Sequence, residues 1–470
     1  MNPEMLSLLT LVVPLLGALA SARFKMTALL VGRLSAGIVL ALWLVLWLIE
    51  GQETPPWGGA DMALLAPFSP ALRLSLEGAG ITLSGMVALV TLMALLAGIS
   101  SNESDSRKQT VVVLLLEAGL IGVAAAQNLI SFLIFWELAL LPLLWLVDRP
   151  TGGELVRRLM VTSLLTSAFL WLGAVEVSAA AGVSLNAEFG EFQARLGDNF
   201  SAWRLWCFLP AFLFRLAAVP LHTWLGRLLS CLPPAPGMML LGGVLPITVL
   251  GLDRVVLGIA GGQVSALRPW LLWLGVGTVL TGGFSALAQG ELKKLLAYIC
   301  LAHGGLLLAS LGVGGSGRYL WLAATAAGIS GAALALFASV VCRARQSQRL
   351  VEISGLWRSH PFFAGLSFAA VASLAVIPGT AGFSGALGLL RAMTSETSAA
   401  CLAAGGLILC GLAGLWAYRF ILGGSYLPNL WIEGRWPTAA QVMVLFLFAL
   451  LLVLLGVAPG ALPMAAGGLS

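Results

Sequence analysis

Apolar stretches long enough to cross a bilayer recur along the whole chain, and they decide what it can fold into. One of them, LISFLIFWELALLPLLWLV from Leu129 to Val147, holds nineteen residues and a single charge, Glu137. A hydrocarbon core of about 30 Å takes roughly 20 mostly apolar residues per helical span. On that rule about fourteen spans are expected, centred near Val13, Leu42, Val87, Leu120, Ala139, Ala168, Phe214, Val244, Gly275, Ala302, Ala326, Ala370, Leu407 and Phe446. Hydrophobic residues make up 59% of the chain and charged ones 10%, where soluble domains carry about 25% charged residues. The expectation is an all-α polytopic membrane protein whose obligatory partner is the lipid bilayer.

The formal charge is +5, but the positives stand singly or in pairs between apolar runs. That is the pattern of membrane-orienting charges, and nucleic acid is not an expected partner. Six cysteines include no CxxC pair, and the three histidines lie far apart, so no metal centre is indicated. The one GxGxxG string, GVGGSG at 312–317, lies between two apolar runs and not in a strand–turn–helix unit, no GxxxxGK[ST] motif occurs, and no cofactor is expected. Any redox reaction that drives this chain then belongs to another subunit, and the chain itself reads as a non-catalytic membrane component. The start, MNPEMLSLLTLVVPLLGALA, lacks a basic leading region and reads as a retained first span. Of the 25 Lys and Arg, seventeen fall in one set of alternate loops, seven in the other, and Arg215 lies inside a span. The bias places both termini on the non-cytoplasmic side.

Two spans are interrupted, at Pro220 in FLFRLAAVPLHTWL and at Pro378–Gly379 in LAVIPGTAGFSG. Proline removes a donor and clashes with the preceding turn, so the freed carbonyls need protein or water. One proline alone is equally a simple kink. Two breaks about 158 residues apart point to an inverted repeat with an ion path at mid-membrane. The halves are expected at 111–256 and 269–420, preceded by three spans in 1–110 and followed by one in 421–470.

Glu117, Glu137, Glu176 and Arg215 all fall within expected spans. A charge at mid-bilayer costs about 2.5–3.5 kcal/mol on insertion scales, so such residues face the bundle interior as ion routes or structural pairs. The simplest arrangement joins Glu137 to Arg215. Glu176, near the end of its span, reads as structural, and Glu117 is open between the two roles. His222 follows the first break, where water for a relay is expected, and His303 sits in LAYICLAHGG. Of the adjacent pair Lys293 and Lys294, the second reads as an anchor. The first turns inward if its span is distorted.

Three segments resemble the antiporter-like membrane subunits of complex I, Mrp antiporters and membrane-bound hydrogenases, most nearly the M-type subunits of NADH–quinone oxidoreductase. They are LLLEAGLIGVAAAQNLISFLIFWELALLPLLWLV, VPLHTWL with APGMMLLGGVL, and ALAQGELKKLLAYICLAHGG. The resemblance covers roughly residues 75–425. With little sequence after the last expected span, the lateral helix of the L type is not expected, which favours the M or N type. The resemblance implies fourteen helices in two inverted five-helix repeats, broken helices seven and twelve, and a line of buried ionisable groups carrying protons or Na⁺ beside other membrane subunits. It assigns Glu137 to the helix-five glutamate, Arg215 to the helix-seven lysine position, His222 to the histidine of HTWL, and Lys293 and His303 to the helix-ten pair.

Two positions depart from that pattern. Leu245 and Pro246 stand where the family has a helix-eight lysine, and Ala386 stands at the helix-twelve acid or lysine, with Arg391 five residues on. A buried lysine can take up and release a proton, whereas arginine stays protonated. The usual lateral path is therefore expected to be broken or rerouted through Glu137, His222, Lys293 and His303. Three functions remain open at this point: ion translocation in a complex-I-like, hydrogenase-like or Mrp-like assembly, a proton-inactive scaffold in one, or energy coupling in an inorganic-carbon uptake complex.

Overall fold

The computed structural model describes residues 3–24, 27–50, 72–97, 103–147, 149–196, 203–260, 264–315, 317–423 and 437–461. Lys25, Arg435 and residues 51–71 lie outside the described residues. Backbone polar groups in lipid are satisfied within helices, and the described chain obeys that rule. Its only bridge pairs are isolated: Leu74 with Ala126, Asn128 with Glu188, and Glu291 with Arg349.

The elements are α1 (Pro3–Arg23), α2 (Ala28–Glu50), α3 (Ala79–Ala97), α4 (Glu103–Ala125), α5 (Leu129–Leu138), α6 (Leu141–Leu144), α7 (Arg149–Ala181) and α8 (Phe189–Arg195). Then come α9 (Trp203–Trp206), α10 (Leu209–Arg215), α11 (Thr223–Cys231) and α12 (Pro234–Ala260), the last interrupted by π-helical turns. The second part holds α13 (Val264–Leu287), α14 (Leu292–Gly312), α15 (Arg318–Arg345), α16 (Leu356–Ser359), α17 (Pro361–Leu374), α18 (Ala381–Ala392), α19 (Thr397–Gly423) and α20 (Ala439–Val457). Among the described residues, eleven helical stretches are long and apolar enough to span, one of them the run Ala381–Gly423 through α18 and α19. Leu129–Leu144 and Pro361–Leu374 are shorter apolar helices.

Both expected breaks are present, and they are built alike. At the first, Ala217 takes a left-handed φ of 56°; at the second, 159 positions on, Val376 takes 57°. Around Ala217 the N–H groups of Ala217 and Ala218 donate to Phe214 and Leu213. Around Val376 those of Val376 and Ile377 donate to Ser373 and Ala372. This is the Schellman pairing that closes a helix end, normally over glycine. Holding a residue with a Cβ, and above all a β-branched valine, in that region costs about 1–3 kcal/mol, so packing must enforce it.

A second feature repeats. Phe189 N–H donates to the carbonyl of Gln127 just before α5, and Leu350 N–H to that of Gly290 just before α14. The same pairing thus recurs in the two parts of the chain expected to form the halves.

Small residues bring the second half's helices together. A Cβ on Gly305 would stand 2.8 Å from the Gly275 carbonyl, and one on Gly283 2.8 Å from that of Gly406. The core of this bundle surrounds the end of α10, which carries Arg215 inward at 3% exposure.

Candidate functional site

The first break gathers aromatic rings around one cation. Arg215 ends α10, and its guanidinium carbon lies 3.7 Å from the centre of the Trp136 ring of α5. Trp136 packs at 5.2 Å from Phe132 and 4.8 Å from Phe212, ring centre to ring centre. A weakly hydrated guanidinium over an indole face gains from the ring quadrupole, most where water is excluded. The direct Glu137–Arg215 pair expected from sequence is replaced by this stack. Glu137 Oε1 and Arg215 Nη1 are each buried without a hydrogen-bond partner. The two charges act on one another through space. The physical reason is helical spacing: Trp136 and Glu137 point about 100° apart, and the ring takes the position over the cation.

Protein groups satisfy the backbone the break frees. Trp224 Nε1 donates to the Phe214 carbonyl at 2.9 Å, and Val219 N–H donates to Thr278 Oγ1 at 3.1 Å. His222 caps α11 without a side-chain capping bond; its Nδ1 is buried and unpartnered, and its ring lies 6.4 Å from that of Tyr298 on α14.

On α14, His303 is 6% exposed, with Nδ1 3.0 Å from the Ile299 carbonyl. That contact assigns the proton to Nδ1 and leaves the buried, unpartnered Nε2 as an acceptor. Leu216 of the first break packs against Gly304 beside it, where an added Cβ would lie 3.3 Å from Leu216 Cδ1. Lys293 turns inward, 7% exposed, although α14 is regular throughout. Distortion of the span is not what draws it in. Its Nζ donates to the Leu232 carbonyl at 3.0 Å. In LPPAP the residue four on from Leu232 is Pro236, which has no N–H, so lysine supplies the missing donor. Lys294 stays in a half-exposed pair with Glu291 at 2.8 Å.

Glu117, in the middle of α4, is 0% exposed, and both its carboxylate oxygens lack a hydrogen-bond partner. Thr91 of α3 stands beside it, its hydroxyl donating to the Val87 carbonyl at 2.9 Å. Glu176 pairs with Arg204 at 3.3 Å, a structural bridge at the edge of the bundle.

The second break has the same backbone and different contents. Leu374 occupies the position of Arg215 when Val376 is laid on Ala217. The donors and acceptors around it are internally matched. Gly382 N–H donates to Ser373 Oγ at 3.2 Å, Thr380 Oγ1 to the Ile377 carbonyl at 2.8 Å, and Ser384 Oγ to Gly456 of α20 at 3.1 Å. Pro378 and Gly379 form the turn, Gly379 with a φ of 90°. The adjoining cavity, about 40 Å³, is lined by side chains such as Leu295, Ile299, Leu374 and Cys410.

The two departures are packed shut. Pro246 is buried, and a Cβ on Gly328 of α15 would meet its Cγ at 3.1 Å and Met86 Sδ at 2.6 Å. Ala386 is 1% exposed, next to Gly385, where a Cβ would meet Ala323 Cα at 2.7 Å. Arg391 is exposed at the end of α18 and does not turn into the bundle.

Sequence reasoning missed the part played by Trp136, Trp224, Thr278 and Tyr298. Tyr298 and Trp136 stand inside the quoted motifs, so a polar-tipped ring beside a buried charge was the available signal.

Paired broken helices of like backbone and a buried cation at one break mark a polytopic helical membrane protein. Comparison with known proteins makes the class specific. Residues 126–412 match the family described as NADH:quinone oxidoreductase/Mrp antiporter, TM, and the chain belongs to that family. It is 26% identical over 375 residues to NADH-quinone oxidoreductase subunit M of Escherichia coli K12, covering 75% of this chain and 73% of the relative. It is 30% identical over 375 residues to NAD(P)H-quinone oxidoreductase chain 4 1 of Synechococcus elongatus, covering 75% and 68%. In fold it is similar to a chain of the Mrp complex from Dietzia sp. DQ12-45-1b, with a TM-score of 0.84 at 22% identity over 98% of this chain and 95% of that one.

Proposed function

We propose that this chain is an ion-translocating membrane subunit of a multi-subunit, complex-I-like or Mrp-like assembly, and that its ion path starts at the first break and is rerouted from there. The path runs through Glu137, His222, Lys293 and His303, with Arg215 as a fixed charge beside it. The usual lateral continuation is interrupted at Pro246 and Ala386. The halves are 111–256 and 269–420, in a bacterial inner membrane with both termini on the non-cytoplasmic side. The cargo is H⁺ or Na⁺, and the driving reaction lies on partner subunits.

One observation carries this reading: two breaks with the same backbone have opposite contents. The first keeps buried polar atoms unspent on Glu137, Arg215 and His222. At the second, Gly382 N–H and the Thr380 and Ser384 hydroxyls are paired, and the adjoining cavity is lined by apolar side chains. Unspent donors and acceptors are what a transient proton or water chain requires.

The test is proton movement by the purified assembly in liposomes. Glu137→Gln is expected to abolish it with assembly intact, because no direct pair to Arg215 is lost. Unchanged proton movement would overturn the reading. A second reading, a scaffold that moves no ions, is favoured by the Arg215–Trp136 stack itself, since arginine cannot relay a proton. Under it, Glu137→Gln impairs assembly and leaves proton movement per assembled complex unaltered.

A further inference from the structure

Between α7 and the broken helix lies a groove of about 570 Å³. Three arginines line it: Arg157 and Arg158 from α7 and Arg227 from α11. Its remaining wall is mostly apolar, including Leu155, Val161, Phe214, Leu221 and Trp224. Glu154 pairs with both Arg157 and Arg158. One carboxylate against three guanidinium groups leaves a net charge of +2.

We propose that this groove holds an anionic phospholipid, its phosphate on the arginines and an acyl chain along the apolar wall. Three features select that occupant. The chemistry is split, cationic at one end and apolar along the rest, as an amphiphile requires and a soluble anion does not. The depth is right: Arg157 and Arg158 lie near the start of the membrane-spanning stretch Gly153–Ala181, at headgroup level. The side is right as well, since all three arginines belong to the loop set that carries the excess of basic residues, the side on which anionic lipids attract such groups. The groove also reaches Pro220 and Thr223. A bound lipid would therefore brace the broken span and cover its mouth.

Native mass spectrometry of the complex in mild detergent, equilibrated with equal phosphatidylglycerol and phosphatidylcholine, tests this. A basic group near an anionic surface favours the anionic lipid by roughly fivefold, so a net charge of two gives a preference of roughly 25-fold. Arg157→Gln/Arg158→Gln/Arg227→Gln should abolish that preference. The exposed control set Arg349→Gln/Arg358→Gln/Arg419→Gln should keep it, and both should assemble normally. Equal retention of the two lipids by the unaltered protein would overturn the proposal, as would retained preference in the groove variant. Displacement of the lipid by millimolar inorganic phosphate would assign the groove to a soluble anion and overturn it. Loss of a neighbouring subunit without loss of phosphatidylglycerol would assign it to a protein partner.

Discussion

The stack of Arg215 on Trp136 can be tested as an energy. Trp136→Leu removes the ring while keeping an apolar side chain, and Arg215→Met removes the charge while keeping an apolar stem of similar reach. A desolvated cation over an indole is worth about 2 kcal/mol. The contact here is desolvated on both sides, with Trp136 at 2% and Arg215 at 3% exposure. Losing the ring also opens a cavity, and large-to-small changes in cores cost about 2–5 kcal/mol. The single variant Trp136→Leu is therefore expected to cost about 4 kcal/mol, the stack plus part of the cavity term. With Arg215→Met already present the stack is gone, and Trp136→Leu should cost about 2 kcal/mol less than in the unaltered chain. Equilibrium unfolding in mixed detergent micelles, read as a double-mutant cycle, gives the coupling directly. Glu137→Gln should leave that coupling within about 0.5 kcal/mol, because the carboxylate acts through space and not as a partner. A Trp136–Arg215 coupling below about 0.5 kcal/mol would refute the stack as the group that holds the cation. A larger coupling between Glu137 and Arg215 would restore the ion pair expected from sequence.

Further outcomes follow from the same geometry. Lys293→Met should destabilise the protein by about 1–3 kcal/mol through the orphaned Leu232 carbonyl, while Lys294→Met should cost under about 1 kcal/mol, because its pair is half-exposed; thermal unfolding in detergent separates the two. Trp224→Phe keeps the ring but leaves the Phe214 carbonyl unpaired, and should cost a similar 1–3 kcal/mol with faster hydrogen exchange at Val219 and its neighbours. His360, ahead of α17 and outside the spans, is pushed below its ordinary value of 6.5 by burial. Its folded form binds protons less readily than its unfolded form, so its share of stability is complete above pH 6.5 and declines as pH falls below it. His360→Gln should flatten that part of the stability–pH curve.

Much of the bundle was legible because lipid leaves so few solutions. Apolar length marks a polytopic helical chain, with eleven spanning stretches and two shorter apolar helices among the described residues where about fourteen spans are expected, and Pro220 and Pro378–Gly379 mark both breaks, since a missing N–H cannot be hidden in a bilayer. The inward turn of Lys293 was half-legible. The cause lies about sixty residues away, in the prolines after Leu232, and no pattern within the KK dipeptide reveals it. What could not be read was the partner of Arg215. Sequence marks opposite charges and suggests that they meet; it does not say which neighbour on α5 takes the space between them. Side-chain direction on a helix turns by about 100° per residue, so a ring one position away can exclude the carboxylate from the pairing geometry. The left-handed Ala217 and Val376 were likewise invisible, because neither residue favours that backbone region.

Those two residues carry the argument one step further. A protein that needed only a kink at each break could place glycine at both positions and avoid the cost. Retaining a Cβ there at about 1–3 kcal/mol each requires that the surrounding helices hold the break rigidly. At the second break the rigidity is accounted for by the bonds to Ser373 and from Thr380 and Ser384 and by the close approach of Gly456. At the first, the Schellman pairing is joined by only two side-chain bonds, from Trp224 and to Thr278. The difference is made up by the aromatic cluster gripping Arg215, so the fixed charge is also the clamp. A titrating lysine in its place would lose its hold on the ring each time it released a proton. Arginine removes that coupling between protonation and structure, at the expense of the relay step that lysine would supply. The second break is thus held by hydrogen bonds beside an apolar cavity, and the first around a permanent cation.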